Sequence, residues 1–135
     1  MTTAPLPPSA SLDRIRVVLS HPSHPGNIGA AARAMKTMGL SRLVLVNPKL
    51  FPDAQADAMA AGATDVLVDT QVVSTLAEAL SGTVLAVAMT ARRRELAVPA
   101  LWVRDAAAEL VAGAATGDVA LVFGNETSGL SNDEL

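Results

Sequence analysis

The chain has 135 residues, half of them apolar but only three aromatic (Phe51, Trp102 and Phe123), and a formal charge of −3. That length fits one domain with a real buried core, and the absence of cysteine excludes a disulfide scaffold, a zinc ribbon and an iron–sulfur cluster. The small negative charge argues mildly against nucleic acid, but its distribution is uneven: residues 1–50 carry Arg14, Arg16, Arg33, Lys36, Arg42 and Lys49 against Asp13 alone. Such asymmetry reads either as a positive face for phosphates or as an ordinary mixed surface.

Residues 1–12, rich in Pro, Ala and Ser, read as a flexible tail, with one domain over 13–135. The tail has no charged leader followed by an apolar stretch, and no apolar run approaches a bilayer span, so a soluble cytoplasmic protein is expected. Beyond the tail, short β-branched runs alternate with alanine-rich helical stretches. This is the signature of an α/β domain, a parallel sheet with flanking helices.

In chain order, Ile15–Leu19 is the first strand. A proline-broken loop holds the only histidines, His21 and His24, too few for a metal site. A helix is expected over Ile28–Met38, with Asn27 a natural N-cap. Ile28, Ala31, Met35 and Met38 share one stripe, and Gly39 is the stop. Leu43–Val46 is the second strand, Pro52–Ala61 a helix stopped at Gly62, and Val66–Val68 a third strand. Val72–Leu80 reads as a helix stopped at Gly82, Val84–Met89 as the fourth strand and Val119–Phe123 as the fifth. Pro99–Ala115 is a helix with proline in its favoured first turn. The near-continuous apolar strands point to burial on both faces. Ser131-Asn-Asp-Glu134 is a capping box that introduces a helix the chain does not continue, as expected of a fragment of something longer.

Three segments at strand ends can carry chemistry. His24-Pro-Gly-Asn-Ile-Gly-Ala30 sets a glycine loop and a helix N-terminus after the first strand, a general anion cradle. It is not the dinucleotide fingerprint, because Gly26 and Gly29 are three apart and Asn47-Pro48 stands where an acidic residue belongs. A P-loop is excluded by the lack of Gly-Lys-Ser/Thr. Arg33, always charged and with forked donors, suits phosphate or carboxylate, although a lone helix arginine is usually solvated. Met89-Thr-Ala-Arg-Arg-Arg94 ends the fourth strand; Thr90 can bond a ligand there, and the arginines suit phosphate or form a solvated loop. Phe123-Gly-Asn-Glu-Thr-Ser-Gly-Leu130 follows the fifth strand. Gly124 lets the backbone turn at a strand end, where parallel sheets bind ligands. Glu126 can accept from a ribose, an amine or a guanidinium, or can be an exposed turn residue.

The spacing Asn27-x-Gly-x-x-x-Arg33 and the later Phe123-Gly-x-Glu126, followed after two residues by Gly129-Leu130, resemble the first two motifs of the SpoU-type RNA ribose methyltransferases. The likeness runs from Arg14 to Leu135 and takes in Ala34-Met-Lys-Thr-Met-Gly-Leu40, Val46-Asn-Pro48 and Ala60-Ala-Gly-Ala-Thr-Asp-Val66. It looks most like the bacterial branch that methylates cytidine or uridine 32 in the tRNA anticodon loop, with Met89-Thr90 in place of that branch's Thr-Ser. The resemblance implies a SPOUT-type α/β fold with a trefoil knot, a rare exception to chain topology. It also implies S-adenosylmethionine as methyl donor, tRNA as substrate and a homodimer, with neither metal nor membrane. Arg33 would act on the ribose hydroxyl with Asn27 supporting it, and Met89, Thr90, Ala91, Gly124 and Glu126 would surround the donor. The family's third motif, which threads the knot and walls the donor site, is not found before Leu135, so the knot is expected to be incomplete here. Two other readings stand beside catalysis: a non-catalytic fragment that keeps the platform and dimer surface, and a small-ligand-binding α/β domain.

Overall fold

The computed structural model describes residues 12–89, 103–126, 128–131 and 134. Five strands, β1 (Ile15–Ser20), β2 (Arg42–Val46), β3 (Gln71–Val73), β4 (Thr83–Met89) and β5 (Asp118–Phe123), form one sheet in the order β3-β2-β1-β5-β4. Every pairing is parallel, and Val18 stands opposite Val44 on one side and Val122 on the other. The chain winds outward from β1 to β3, then crosses to the far edge and returns to β5 beside β1. The winding therefore reverses between β1 and β5, the place where open parallel sheets form ligand crevices.

The helices are α1 (Pro25–Met38), α2 (Ala54–Ala60), α3 (Thr64–Val68), α4 (Leu76–Ala79) and α5 (Val103–Ala114), with a 3-10 turn at Ala61–Ala63. One face of the sheet, through Val17, Leu43 and Leu45, packs on Ile28, Ala32 and Met35 of α1 and on Ala56 and Ala60 of α2. The same face continues through Ile15 and Val119 to Leu110 and Ala114 of α5. The opposite face, Val18, Val44, Val46, Ala120 and Val122, is closed by Ala79 of α4 and by Leu130. Burial on both faces holds for the central strands but not for β4, where Val84, Ala86 and Ala88 are exposed.

Four of the expected strands form, and the third does not. Val66–Val68 lies in helix α3, with Val68 largely in solvent, because three apolar residues cannot distinguish a buried helix turn from a strand. The strand is Gln71–Val73 instead, and the helix expected over Val72–Leu80 shrinks to α4. Thr75 caps it, its Oγ1 accepting from the Glu78 amide at 3.2 Å, a start signal of the usual kind. Helix α1 begins at Pro25 with His24 as N-cap, so Asn27 lies inside the first turn and is not the cap. Proline at the first helical position set that boundary. The buried stripe of α1 runs through Ile28, Gly29, Ala32 and Met35, whereas Met38 is 60% exposed. Leu12, at the end of the expected tail, packs against the Ile15–Leu110 cluster, and residues 1–11 lie outside the described residues. The expected start of the last helix at Pro99 also lies outside them, with α5 described from Val103.

The positive face suggested by the charge distribution is largely a structural clamp at the amino-terminal edge of the sheet. Arg16 Nη2 and Arg42 Nη1 both donate to Asp118 Oδ2 at 2.9 Å, holding β1, β2 and β5 together. Hydrogen bonds from Arg42 and then Arg16 keep the Asp118 carboxyl below the usual range. Arg16 Nη1 also donates to the carbonyls of Ala79 and Ser81 at 3.0 and 2.7 Å. Arg14 donates to the Ala114 and Ala115 carbonyls, so both arginines satisfy helix ends that lack internal partners. Lys36 pairs with Asp65 at 2.9 Å. Of the early bases only Arg33 and Lys49 make no side-chain ion pair or hydrogen bond among the described residues.

Candidate active site

At the carboxyl end of β1 the chain turns through His21, whose φ of 53° is left-handed, and runs through Pro22, Ser23 and His24 into α1. A helix opens with backbone N–H groups that lack internal partners, and the His24 side chain caps none of them. Glu126, far away in sequence, supplies an acceptor for the two residues just before the helix. Its Oε2 accepts from both the amide and the hydroxyl of Ser23 at 3.0 Å, and its Oε1 accepts from the His24 amide at 3.3 Å. Burial alone would raise the Glu126 pKa, but the donors from Ser23 and His24 prevail and hold it below the ordinary carboxylate value. A carboxylate there is also favoured by the positive end of the helix dipole.

Glu126 is brought to that position by Gly124. A Cβ on Gly124 would sit 2.2 Å from both Gly129 C and Leu130 N, so the loop after β5 folds back onto its own first residue. The glycine is needed for this close approach; the positive φ of the loop belongs to Gly129, at 69°. Asn125 and Gly129 exchange backbone hydrogen bonds at 3.2 and 2.8 Å. Asn125 Nδ2 reaches across to the His21 carbonyl at 2.9 Å and to Ser23 Oγ at 2.8 Å. The two motif loops are thus joined directly.

Beneath them lies Ser20, the buried polar residue at the end of β1. Its hydroxyl donates to Glu134 Oε2 and lies 3.0 Å from His21 Nδ1. The capping box forms as expected, with the Ser131 amide donating to Glu134 Oε1 at 2.9 Å and the Glu134 amide to Ser131 Oγ at 3.2 Å. Burial would raise the Glu134 pKa, yet the bonds from Ser131 and Ser20 lower it. Ser20, His21, Asn125, Ser128, Gly129, Ser131 and Glu134 line a cavity of about 270 Å³, at the point where the sheet's winding reverses.

The expected site residues therefore fall into two groups. Met89 ends β4 directly opposite Phe123 of β5, which sets it at the same sheet edge as Gly124 and Glu126. Asn27 is exposed in the first turn of α1, just after the Ser23 and His24 amides that Glu126 holds. Arg33 is exposed about 9 Å further along α1 at 1.5 Å per residue. It borders a shallow depression of about 380 Å³ lined by Ala30, Ala34, Thr37, Met38 and Met59, and the structure does not bring it to the cavity. Thr90, Ala91 and the arginines 92–94 lie outside the described residues. No cluster of three or more acidic or histidine side chains suited to a metal occurs among the described residues. Ser20, Ser23 and Asn125 carried no motif signal, because their partners are more than a hundred residues away in sequence. Gly29, the glycine of the first motif, serves packing. Its added Cβ would lie 2.1 Å from the Ala56 carbonyl oxygen and 2.9 Å from the Ala60 nitrogen, so α1 and α2 touch through backbone.

The sequence profile of the SpoU rRNA Methylase family matches residues 14–135. The tRNA (cytidine/uridine-2'-O-)-methyltransferase TrmJ of Salmonella typhimurium is 56% identical over 124 residues, covering 92% of this chain and 51% of that protein. The tRNA (cytidine/uridine/adenosine-2'-O-)-methyltransferase TrmJ of Pseudomonas aeruginosa is 56% identical over 125 residues, covering 92% and 49%. Among solved structures, the probable methyltransferase from Bordetella pertussis Tohama I superimposes with a TM-score of 0.85 at 42% identity, over 93% of this chain and 78% of that one. TrmJ from Z. mobilis ZM4 gives a TM-score of 0.83 at 36% identity, over 88% and 53%. The chain spans about half the length of the curated relatives it matches. With the profile matched from Arg14 onward and the sheet superimposing on solved relatives, the chain belongs to the SpoU rRNA methylase family.

Proposed function

We propose that this chain carries the donor site and the hydroxyl-activating arginine of an S-adenosylmethionine-dependent tRNA ribose 2′-O-methyltransferase, acting as a homodimer on cytidine or uridine 32 of the anticodon loop. The observation that carries the reading is the meeting of the two motif loops, through Glu126 and α1, at the reversal point between β1 and β5. The names of the relatives, tRNA 2′-O-methyltransferases at 56% identity, support the substrate class.

The residues present fit the donor. Met89 stands opposite Phe123, next to Gly124, at the carboxyl ends of β4 and β5, and Gly124 lets the loop after β5 fold back at that edge. Each carboxylate oxygen accepts about two hydrogen bonds, so Glu126 Oε1, which among the described residues takes the His24 amide, keeps capacity for one donor from a ribose or amine. Thr90 and Ala91 would complete the cradle. When bound, S-adenosylmethionine supplies an electrophilic methyl on sulfonium.

The protein's part is alignment and charge. A guanidinium does not deprotonate at ordinary pH, so Arg33 acts as a clamp on the phosphate beside the target ribose and stabilises negative charge developing on the hydroxyl oxygen, whose proton passes to solvent water as the methyl is taken. Asn27, in the first turn of α1, supports the RNA-facing side of that helix. Arg33 borders exposed apolar surface at Met38 and Met59; a second copy covering it would set Arg33 at a subunit boundary. With three aromatic residues in the chain, RNA recognition rests on shape and phosphate contacts rather than base stacking.

Calorimetric titration of S-adenosylhomocysteine into the chain tests the donor site. Saturable binding, abolished by Gly124→Val, is expected, and no binding by the folded chain would overturn it. Labelled methyl transfer to tRNA with a pyrimidine at position 32 tests the chemistry. Arg33→Lys should lose most turnover, and near-normal turnover would refute the bidentate clamp.

A further inference from the structure

We propose that Ser23 is a positioning residue that couples the loop after β5 to the first turn of α1, so that occupancy of the loop and order of the helix start rise together. The proposal rests on the donor-site reading above. Ser23 belongs to neither motif, yet one hydroxyl joins both. Its Oγ donates to Glu126 Oε2 at 3.0 Å and accepts from Asn125 Nδ2 at 2.8 Å, while its amide donates to the same Glu126 oxygen. Asn125 Oδ1 in turn accepts from the Ser128 amide at 3.1 Å. One path from α1 to the loop tip thus runs through a group that donates one hydrogen bond and accepts another. A hydroxyl does both, and a methyl group does neither.

Inside the helix the Asn27 amide bonds the His24 carbonyl at 3.0 Å; the residues just before it are held to the loop by this hydroxyl together with the Ser23 and His24 amides on Glu126 and Asn125 Nδ2 on the His21 carbonyl. His24 caps no amide, no acidic residue lies in the first turn of α1, and proline occupies its start. Glu126 instead holds the Ser23 and His24 amides just before the helix, and the Ser23 hydroxyl holds its carboxylate in place. Coupling is reciprocal: a ligand that fixes the loop fixes the helix start, and loss of the Ser23 link weakens both.

The test is amide hydrogen exchange, read residue by residue by NMR, on the full chain with and without saturating S-adenosylhomocysteine, in wild type, Ser23→Ala and Ser23→Thr. In wild type the ligand should slow exchange at the Ser23 and His24 amides about tenfold, within the usual range of coupling between sites. Ser23→Ala should lose that slowing and bind the ligand about five- to tenfold more weakly, with the amides of β1 and β2 still protected. Ser23→Thr, which keeps the hydroxyl, should recover both. Equal affinity in Ser23→Ala, the same ligand-induced slowing in that variant, or no recovery in Ser23→Thr would overturn the coupling alone. Absence of binding by folded wild type would instead remove the donor-site reading, and this proposal with it.

Discussion

Glu126 shows how a residue can be recognised in the sequence and its immediate work still be missed. Its place in the Phe-Gly-x-Glu pattern made it an expected donor-site residue, and its three described hydrogen bonds go to Ser23 and His24 just before α1. Its folded pKa lies below the ordinary value of 4.5. The ionised form is thus favoured by folding, and its contribution is present above about pH 4.5 and lost as the pH falls through the lowered folded value. Urea melts of wild type and Glu126→Gln should therefore show a stability gap near pH 7 that closes in acid, and a gap that widens in acid would contradict the assignment. Gly124 was legible as special for a different reason. Freedom to turn is what a glycine suggests, but the 2.2 Å approach of Gly129 and Leu130 is visible only once the loop has folded back. Gly124→Ala should lower stability by about 1–3 kcal/mol through overpacking and weaken S-adenosylhomocysteine binding, checked by thermal denaturation and calorimetry.

Among the elements, strands with long β-branched runs were readable and short ones were not. Leu43–Val46 and Val119–Phe123 are apolar along their length because they lie in the middle of the sheet. The edge strand Gln71–Val73 has few neighbours to bury, so its sequence carries little pattern. Helix α1 was readable in its interior, but its start was set by Pro25, and the carboxylate that holds the residues before it came from another loop. The touch between α1 and α2 gives a direct test: Gly29→Ala should cost about 1–3 kcal/mol or more because backbone must move, seen as a lower urea midpoint. The arginine clamp gives another. Asp118→Ala removes the shared acceptor of Arg16 and Arg42, leaving Arg16, 12% exposed in its side chain, without its counter-charge. A loss of about 1–3 kcal/mol in chemical denaturation is expected.

For the whole molecule, the apolar surface around Met38 and Met59 bears on assembly. Sedimentation equilibrium should give twice the chain mass, and Met38→Asp should give the monomer with unchanged far-UV circular dichroism; a wild-type monomer would refute the homodimer. The alternation of β-branched and alanine-rich segments determined an α/β parallel sheet on its own, because strand and helix periodicities are local properties of the chain. The two spaced motifs likewise identified the family without coordinates. Tertiary structure alone decided which charges are free. It turned the early arginines into a clamp, left Arg33 and Lys49 without side-chain partners among the described residues, and brought Glu126 to a helix that begins a hundred residues earlier. Those pairings arise from strand order and loop closure, and no sequence period encodes a contact between residues so far apart.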